Sequence, residues 1–263
     1  VDNVKVTLLD TPGLFDFSGE VYEALSVADA AVIVINGKSG VEVGTRRSFD
    51  FCAKKGIPVI VYITCVEDEH VDASAIVDEL RESYGNKIVP FHMPMKEDGV
   101  FKGFINAVKM LECRLQPNGS YDEVVVEEGV NDELDDYRMQ LMEGVAETSE
   151  DLMEKFFAEE PFTEEEIKNA IIGSVARRDL MPVICGAINT DYGANILLND
   201  MVKYFSAPGM VTDQFTGTKV KTGEPVTASY DASQPVSAYV FKTIADPFVG
   251  RISLVKVTDG ILK

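Results

Sequence analysis

Val4-Lys5-Val6-Thr7-Leu8-Leu9-Asp10-Thr11-Pro12-Gly13-Leu14-Phe15-Asp16-Phe17 opens on an apolar, β-branched run, closes it with an acid and then turns at Thr-Pro-Gly. The run predicts a buried strand over Val4 to Leu9 that stops at its carboxyl end, where α/β folds keep their ligands. Asp10 then stands at the mouth of a site. Pro12 fixes φ and Gly13 lets backbone approach a ligand closely, so a backbone N–H can itself meet a phosphate. An ordinary strand-to-helix turn has the same composition, and the flanking sequence separates the two readings.

Downstream, strand and helix patterns alternate. Ser18 to Ser26 has helical spacing through Val21 and Leu25, and Ala30 to Ile35 is a continuous apolar strand followed by the loop Gly37-Lys38-Ser39-Gly40. Thr45 to Lys55 is an amphipathic helix stopped by Gly56, Ile57 to Ile63 a buried strand, and Ala73 to Tyr84 a helix ended by Gly85. This βαβαβα order is that of a parallel sheet wrapped by helices.

From Lys87 the pattern changes. Lys87 to Met95 and Gly103 to Met110 predict short strands of an irregular insert, Tyr121 to Val130 an extended acidic stretch, and Leu134 to Phe157 one long acidic amphipathic helix. Thr163 with Glu166 makes a capping box for a further helix, whose last turn carries Arg177-Arg178. The sheet pattern returns at Leu180 to Ala187, with a helix from about Gly193 to Phe205. Thr212 to Ser233 predicts an exposed linker, and Pro235 to Thr243 with Gly250 to Leu262 predict strands of a β-type domain. The expected organisation is a nucleotide-type domain over 1–205 with an inserted subdomain at about 86–179, a linker at 206–234, and the start of a β domain at 235–263.

The 263 residues carry a net charge of −20, from 24 basic and 44 acidic side chains, which works against nonspecific nucleic-acid binding, direct DNA binding included, and against membrane binding. No apolar run reaches the roughly 20 residues of a membrane helix. Cys52, Cys65, Cys113 and Cys185 lack any C-x-x-C pair, which argues against zinc and disulfides and suits reduced thiols in a cytoplasm. His70 and His92 are too isolated for a metal cluster and read as surface or half-buried side chains. The acidic face from Glu143 to Glu160 reads as solvated surface, with a dock for a basic partner as the sharper alternative. The chain begins at Val1 and ends at Ile261-Leu262-Lys263 within β-type patterns, so it reads as an internal fragment.

Asp10-Thr11-Pro12-Gly13, Ala28-Asp29-Ala30-Ala31-Val32, Gly40-Val41 and Thr45 at their spacing resemble the GTPase domain of translational GTPases. Phe101 to Met110, Tyr137-Arg138, Ala146-Glu147-Thr148-Ser149-Glu150, Pro182-Val183-Ile184-Cys185-Gly186-Ala187 and Asp246-Pro247-Phe248-Val249-Gly250-Arg251 narrow the resemblance to elongation factor G. The resemblance runs from end to end. It implies a P-loop-GTPase-type α/β parallel sheet with an inserted α+β subdomain, followed by a β-barrel domain, in a cytoplasmic, monomeric protein that uses GTP, GDP and Mg²⁺ and acts with the ribosome.

Residue by residue, the resemblance makes Asp10 a Mg²⁺ ligand through water and places Thr11, Pro12 and Gly13 at the nucleotide, the Gly13 amide facing the γ-phosphate. Cys185-Gly186-Ala187 matches the loop whose backbone receives guanine O6. Three departures stand beside these matches. Leu14 occupies the position of the family's water-orienting histidine, where it cannot position a water and reads as packing under the neighbouring helix. Thr64-Cys65-Val66-Glu67 replaces the guanine-reading Asn-Lys-x-Asp, with Glu67 keeping the charge one methylene further out and Asp68 available if the loop slips by one residue. The phosphate-cradling Gly-x-x-x-x-Gly-Lys-Ser/Thr does not occur in the 263 residues. Two functions are therefore expected as alternatives: a ribosome-dependent GTPase of elongation, and a non-hydrolytic ribosome-binding paralogue.

Overall fold

In the computed structural model, residues 3–116, 120–126, 129, 131–188, 193–208, 210 and 215–263 are described. The chain divides into two compact units. The first is built on Ala30–Phe205 and the second on Thr7–Asp29 with Ser206–Lys263.

The first unit is organised by strands too apolar to leave in water. β1 (Ala31–Asn36), β2 (Val59–Thr64) and β7 (Met181–Cys185) are the predicted strands, and they pair in parallel, Ala31 with Val59 and Val61 with Val183. β3 (Ile88–Glu97) also joins this parallel set, Ile88 opposite Met181. It then continues antiparallel into β4 (Val100–Asn106), β5 (Leu111–Leu115) and β6 (Tyr121–Val125). The result is one seven-stranded mixed sheet in the order β1-β2-β7-β3-β4-β5-β6. The strands beyond Lys87 thus extend the central sheet: eight successive residues of β3, Ile88 to Met95, are buried, as a strand covered on both faces requires.

Around the sheet pack α2 (Val43–Lys55), α3 (Ala73–Tyr84), α4 (Asp132–Ala146), α5 (Glu150–Phe157), α6 (Glu164–Arg177) and α7 (Ala194–Tyr204). Gly56 ends α2 with φ 69°, the left-handed cap expected of it. Asp72 caps α3 by accepting from the Ala75 N–H. The predicted helix over Leu134 to Phe157 is two helices. The Thr148 hydroxyl turns back to the Val145 carbonyl at 2.7 Å, and Ser149 caps a new helix by accepting from the Leu152 N–H at 3.3 Å. Ser and Thr compete with the helix for its own backbone, which the apolar spacing does not register.

The capping box of α6 is complete. Glu166 accepts from the Thr163 N–H and hydroxyl, and also pairs with Lys155. Lys155 first, then these two donors, hold the Glu166 carboxyl at about 2, well below the ordinary glutamate value. A carboxyl depressed in the folded state contributes stability above its unfolded pKa and loses it as pH falls. Stability is accordingly expected to drop between about pH 4.5 and 2, and Glu166→Gln to flatten that part of the profile. Circular dichroism melts across that range check it.

The second unit starts at Thr7, and the segment that leads into it departs from the predicted strand. Residues 4–13 form no strand, and Val6, Leu8 and Leu9 are exposed. A β-branched run becomes a strand only where a neighbouring strand takes up its backbone groups, because strand propensity largely expresses packing context. A 3₁₀ turn follows at Phe15–Phe17, then α1 (Ser18–Leu25) close to its expected place. The predicted linker contains a hairpin, β8 (Thr216–Thr218) with β9 (Pro225–Thr227); its first residues, 212–214, lie outside the described set. β10 (Ser237–Asp246) and β11 (Gly250–Asp259) form a long antiparallel hairpin. At its turn Asp246 accepts from the N–H groups of Phe248 and Val249 at 2.7 and 2.8 Å, so the sequence Asp-Pro-Phe-Val-Gly is a side-chain-locked turn. Within this unit Lys242 pairs with Glu20 and Glu23 of α1, and Lys256 donates to the Val27 carbonyl and to Asp29.

Candidate functional site

The carboxyl ends of β2 and β7 lie side by side, and each continues into a loop. After β2 comes Cys65-Val66-Glu67-Asp68, and after β7 comes Gly186-Ala187. The Gly186 N–H donates to the Ile63 carbonyl at 2.8 Å and the Val66 N–H to the Gly186 carbonyl at 3.5 Å, so the loops are stitched through backbone. The loop that carries Glu67 and the loop Cys185-Gly186-Ala187 are thereby held side by side. The Thr64 side chain, where the family has an amide, donates to the Ile35 carbonyl at 3.3 Å and ties the loop to β1.

The Cys185-Gly186 loop is closely approached by a glycine. Gly193, the N-cap of α7, has φ 93°, and a Cβ there would stand 2.6 Å from the Cys185 carbonyl oxygen and 2.8 Å from the Gly186 Cα. Only a residue without a side chain lets the helix start this close to the loop. Cys185 is wholly buried and its thiol is pushed far up by desolvation, so it is an inert packing group whose contribution to the loop is its backbone. Tyr62 is pushed up to about 12, by burial first and then by the negative charges of its surroundings, Glu67 among them. One carboxylate oxygen of Glu67 is buried.

Asp68 is committed elsewhere. Lys38 meets its carboxylate at 2.6 Å, the His70 N–H donates to its other oxygen at 3.0 Å, and this ion pair, first of all, holds Asp68 well below the carboxylate range. A slip of one residue that would bring Asp68 to a base is opposed by these contacts. Cys65 has φ 61°, in the left-handed region that non-glycine residues visit rarely, and its partial exposure contrasts with buried Cys52, Cys113 and Cys185.

Asp10, Thr11, Pro12 and Gly13 fold with the second unit, on irregular backbone leading into the Phe15–Phe17 turn. Leu14 does not pack beneath the following helix: it is 70 % exposed. Its carbonyl accepts from the Phe17 N–H at 3.0 Å, and the turn that this bond closes leaves Leu14, Phe15 and Phe17 facing solvent. Among the described residues no group of three or more His, Cys, Asp or Glu side chains could hold a metal ion. A lone Asp10 fits Mg²⁺ only in the manner that ion favours, keeping most of its waters and leaning on phosphates.

His92, read from sequence as surface or half-buried, is buried. Its Nε2 lies 2.8 Å from the Asn106 amide nitrogen and its Nδ1 3.4 Å from a carboxylate oxygen of Asp200 on α7. Sequence spacing carries no trace of this group, because its members come from β3, β4 and α7.

No helix of the described residues is long and apolar enough to cross a membrane. A crystal structure of a protein from Thermus thermophilus is similar to 95 % of the chain at 29 % identity and TM-score 0.75; the chain spans 35 % of that protein's length. The family model described as the elongation factor Tu GTP binding domain matches residues 1–207. The parallel strands, the stitched loops at their carboxyl ends and this match place the chain in the family of elongation factor Tu GTP-binding domains.

Proposed function

We propose that this chain is the guanine-nucleotide-binding part of an elongation factor G-like GTPase that acts on the ribosome during elongation, at translocation. The observation that supports the reading is the backbone stitching of the Glu67 loop to the Cys185-Gly186-Ala187 loop, with Gly193 leaving no room for a side chain. In this role Glu67 accepts the guanine N1–H and N2–H and the backbone of the Cys185-Gly186-Ala187 loop receives O6; the resemblance assigns Asp10 to Mg²⁺ and the Gly13 amide to the γ-phosphate. GTP with Mg²⁺ is the cofactor and the ribosome the partner, and the protein works as a cytoplasmic monomer.

Exposed, apolar Leu14 favours a second reading, a ribosome-binding paralogue that holds GTP without turnover, since its side chain has no group to orient a water. Titration of the full-length protein with GDP, ADP and xanthosine diphosphate in Mg²⁺ tests the base site. Micromolar or tighter GDP binding that excludes ADP is expected, and equal binding of all three would overturn guanine reading. Ribosome-stimulated turnover by the protein and by Leu14→His separates the two readings. A variant faster by tenfold or more than a near-inactive parent supports the paralogue, and an active parent supports the GTPase.

A further inference from the structure

Two adjacent carboxylates, Glu67 and Asp68, stand in the loop after β2, yet a guanine edge takes one. The loop Asn36-Gly37-Lys38 after β1 leans on this segment. The Gly37 N–H donates to the Thr64 carbonyl at 3.0 Å, and a Cβ on Gly37 would stand 2.6 Å from that oxygen and 2.5 Å from a Val71 methyl. The Asn36 side chain accepts from the Lys38 N–H at 3.0 Å and fixes the turn from which Lys38 projects. Lys38 Nζ reaches the Asp68 carboxylate at 2.6 Å. From the other side Lys96 of β3 donates to the carbonyls of Asp68 and Val71 at 2.7 and 2.6 Å, and the Asp68 N–H closes a turn on the Cys65 carbonyl at 3.1 Å. Asp68 is thus gripped through its side chain by the loop after β1 and through its backbone by β3.

We propose that Lys38 is a specificity-positioning residue, which by clamping Asp68 sets the register of the loop over 64–71 and leaves Glu67 as the carboxylate presented to the purine. The inference rests on the guanine reading above, but the clamp itself is measurable without nucleotide. Loss of Lys38 leaves Asp68 held by His70 alone on its side-chain face, so the two carboxylates compete and the left-handed turn at Cys65 loosens. An exposed ion pair contributes little to overall stability, so the effect is local to the loop and a Lys38 variant folds.

The test uses the full-length protein and Lys38→Met, Lys38→Arg, Asp68→Asn and the exchanged pair Lys38→Asp with Asp68→Lys. Two readouts are taken: the rate at which Ellman's reagent labels Cys65 without nucleotide, and the ratio of GDP to ADP affinity. Lys38→Met and Asp68→Asn are expected to label at least fivefold faster and to lose about tenfold in the affinity ratio, an effect of about 1.4 kcal/mol. Lys38→Arg and the exchanged pair are expected to return both toward the parent. Labelling of Lys38→Met at the parent rate would overturn the clamp. Faster labelling with an unchanged ratio would overturn its part in specificity. A parent protein that fails to separate GDP from ADP defeats the guanine reading instead, while the labelling rates still decide the clamp.

Discussion

Glu67→Ala in the full-length protein is expected to bind GDP 100- to 1,000-fold more weakly, with ADP affinity unchanged. A hydrogen bond to a charged acceptor is worth about 1.5–3 kcal/mol, and two such bonds to one base edge bring the loss to about 3–4 kcal/mol once the freed loop readjusts. Glu67→Asp is the informative companion. It shortens the side chain by one methylene at fixed charge, so a loop shaped around the longer acid loses affinity with aspartate, whereas a loop of the family's usual reach gains. Calorimetric titration of the three proteins with GDP and ADP checks both statements, and equal GDP affinity in all three would remove Glu67 from the base site.

Phe91→Ala is expected to lower the stability of the first unit by about 3–5 kcal/mol. Phe91 is fully buried in β3, and its ring meets Tyr204 of α7 edge-on with centroids 5.3 Å apart. The variant loses its own transfer energy, leaves a cavity, and gives up an aromatic pair worth about 0.5–1.5 kcal/mol. Phe248→Ala, at a position 95 % exposed on the β10–β11 turn, is expected to stay within about 0.5 kcal/mol of the parent. Urea unfolding followed by circular dichroism measures both, and a Phe91 variant within about 1 kcal/mol of the parent would show that β3 is not the strand on which the core closes.

The parts of the fold that were legible in the sequence are those whose cause is local. β1, β2 and β7 are continuous apolar runs; β2 and β7 are covered on both faces, as such runs favour, whereas β1 at the end of the sheet leaves Val34 exposed. Gly56, Gly85 and the Thr163–Glu166 box mark helix ends through chemistry that lies within four residues of the end itself. Where partners are distant, the sequence was silent or misleading. Val4 to Leu9 has strand composition, but composition does not supply a neighbour. Lys87 to Met95 reads as the edge of an insert, while β3 owes its central place to a strand nearly a hundred residues later. The candidate site divides the same way. Glu67 and Cys185-Gly186-Ala187 are nominated by the resemblance alone, whereas the commitment of Asp68 to Lys38 is a contact between loops that no local pattern encodes. The buried His92, Asn106 and Asp200 group was missed for the same reason.

The stitched pair of loops also sets a schedule. β2 and β7 are neighbours in the sheet but lie roughly 120 residues apart in the chain, and ribosomes extend a chain at roughly 5–20 residues per second. The two stitched loops therefore leave the ribosome about 6 to 24 seconds apart. During that interval β2 has an apolar edge with no partner and the Glu67 loop has nothing to close against. A nascent chain of this protein completes the stitched loops late, only when β7 slots in between β2 and β3.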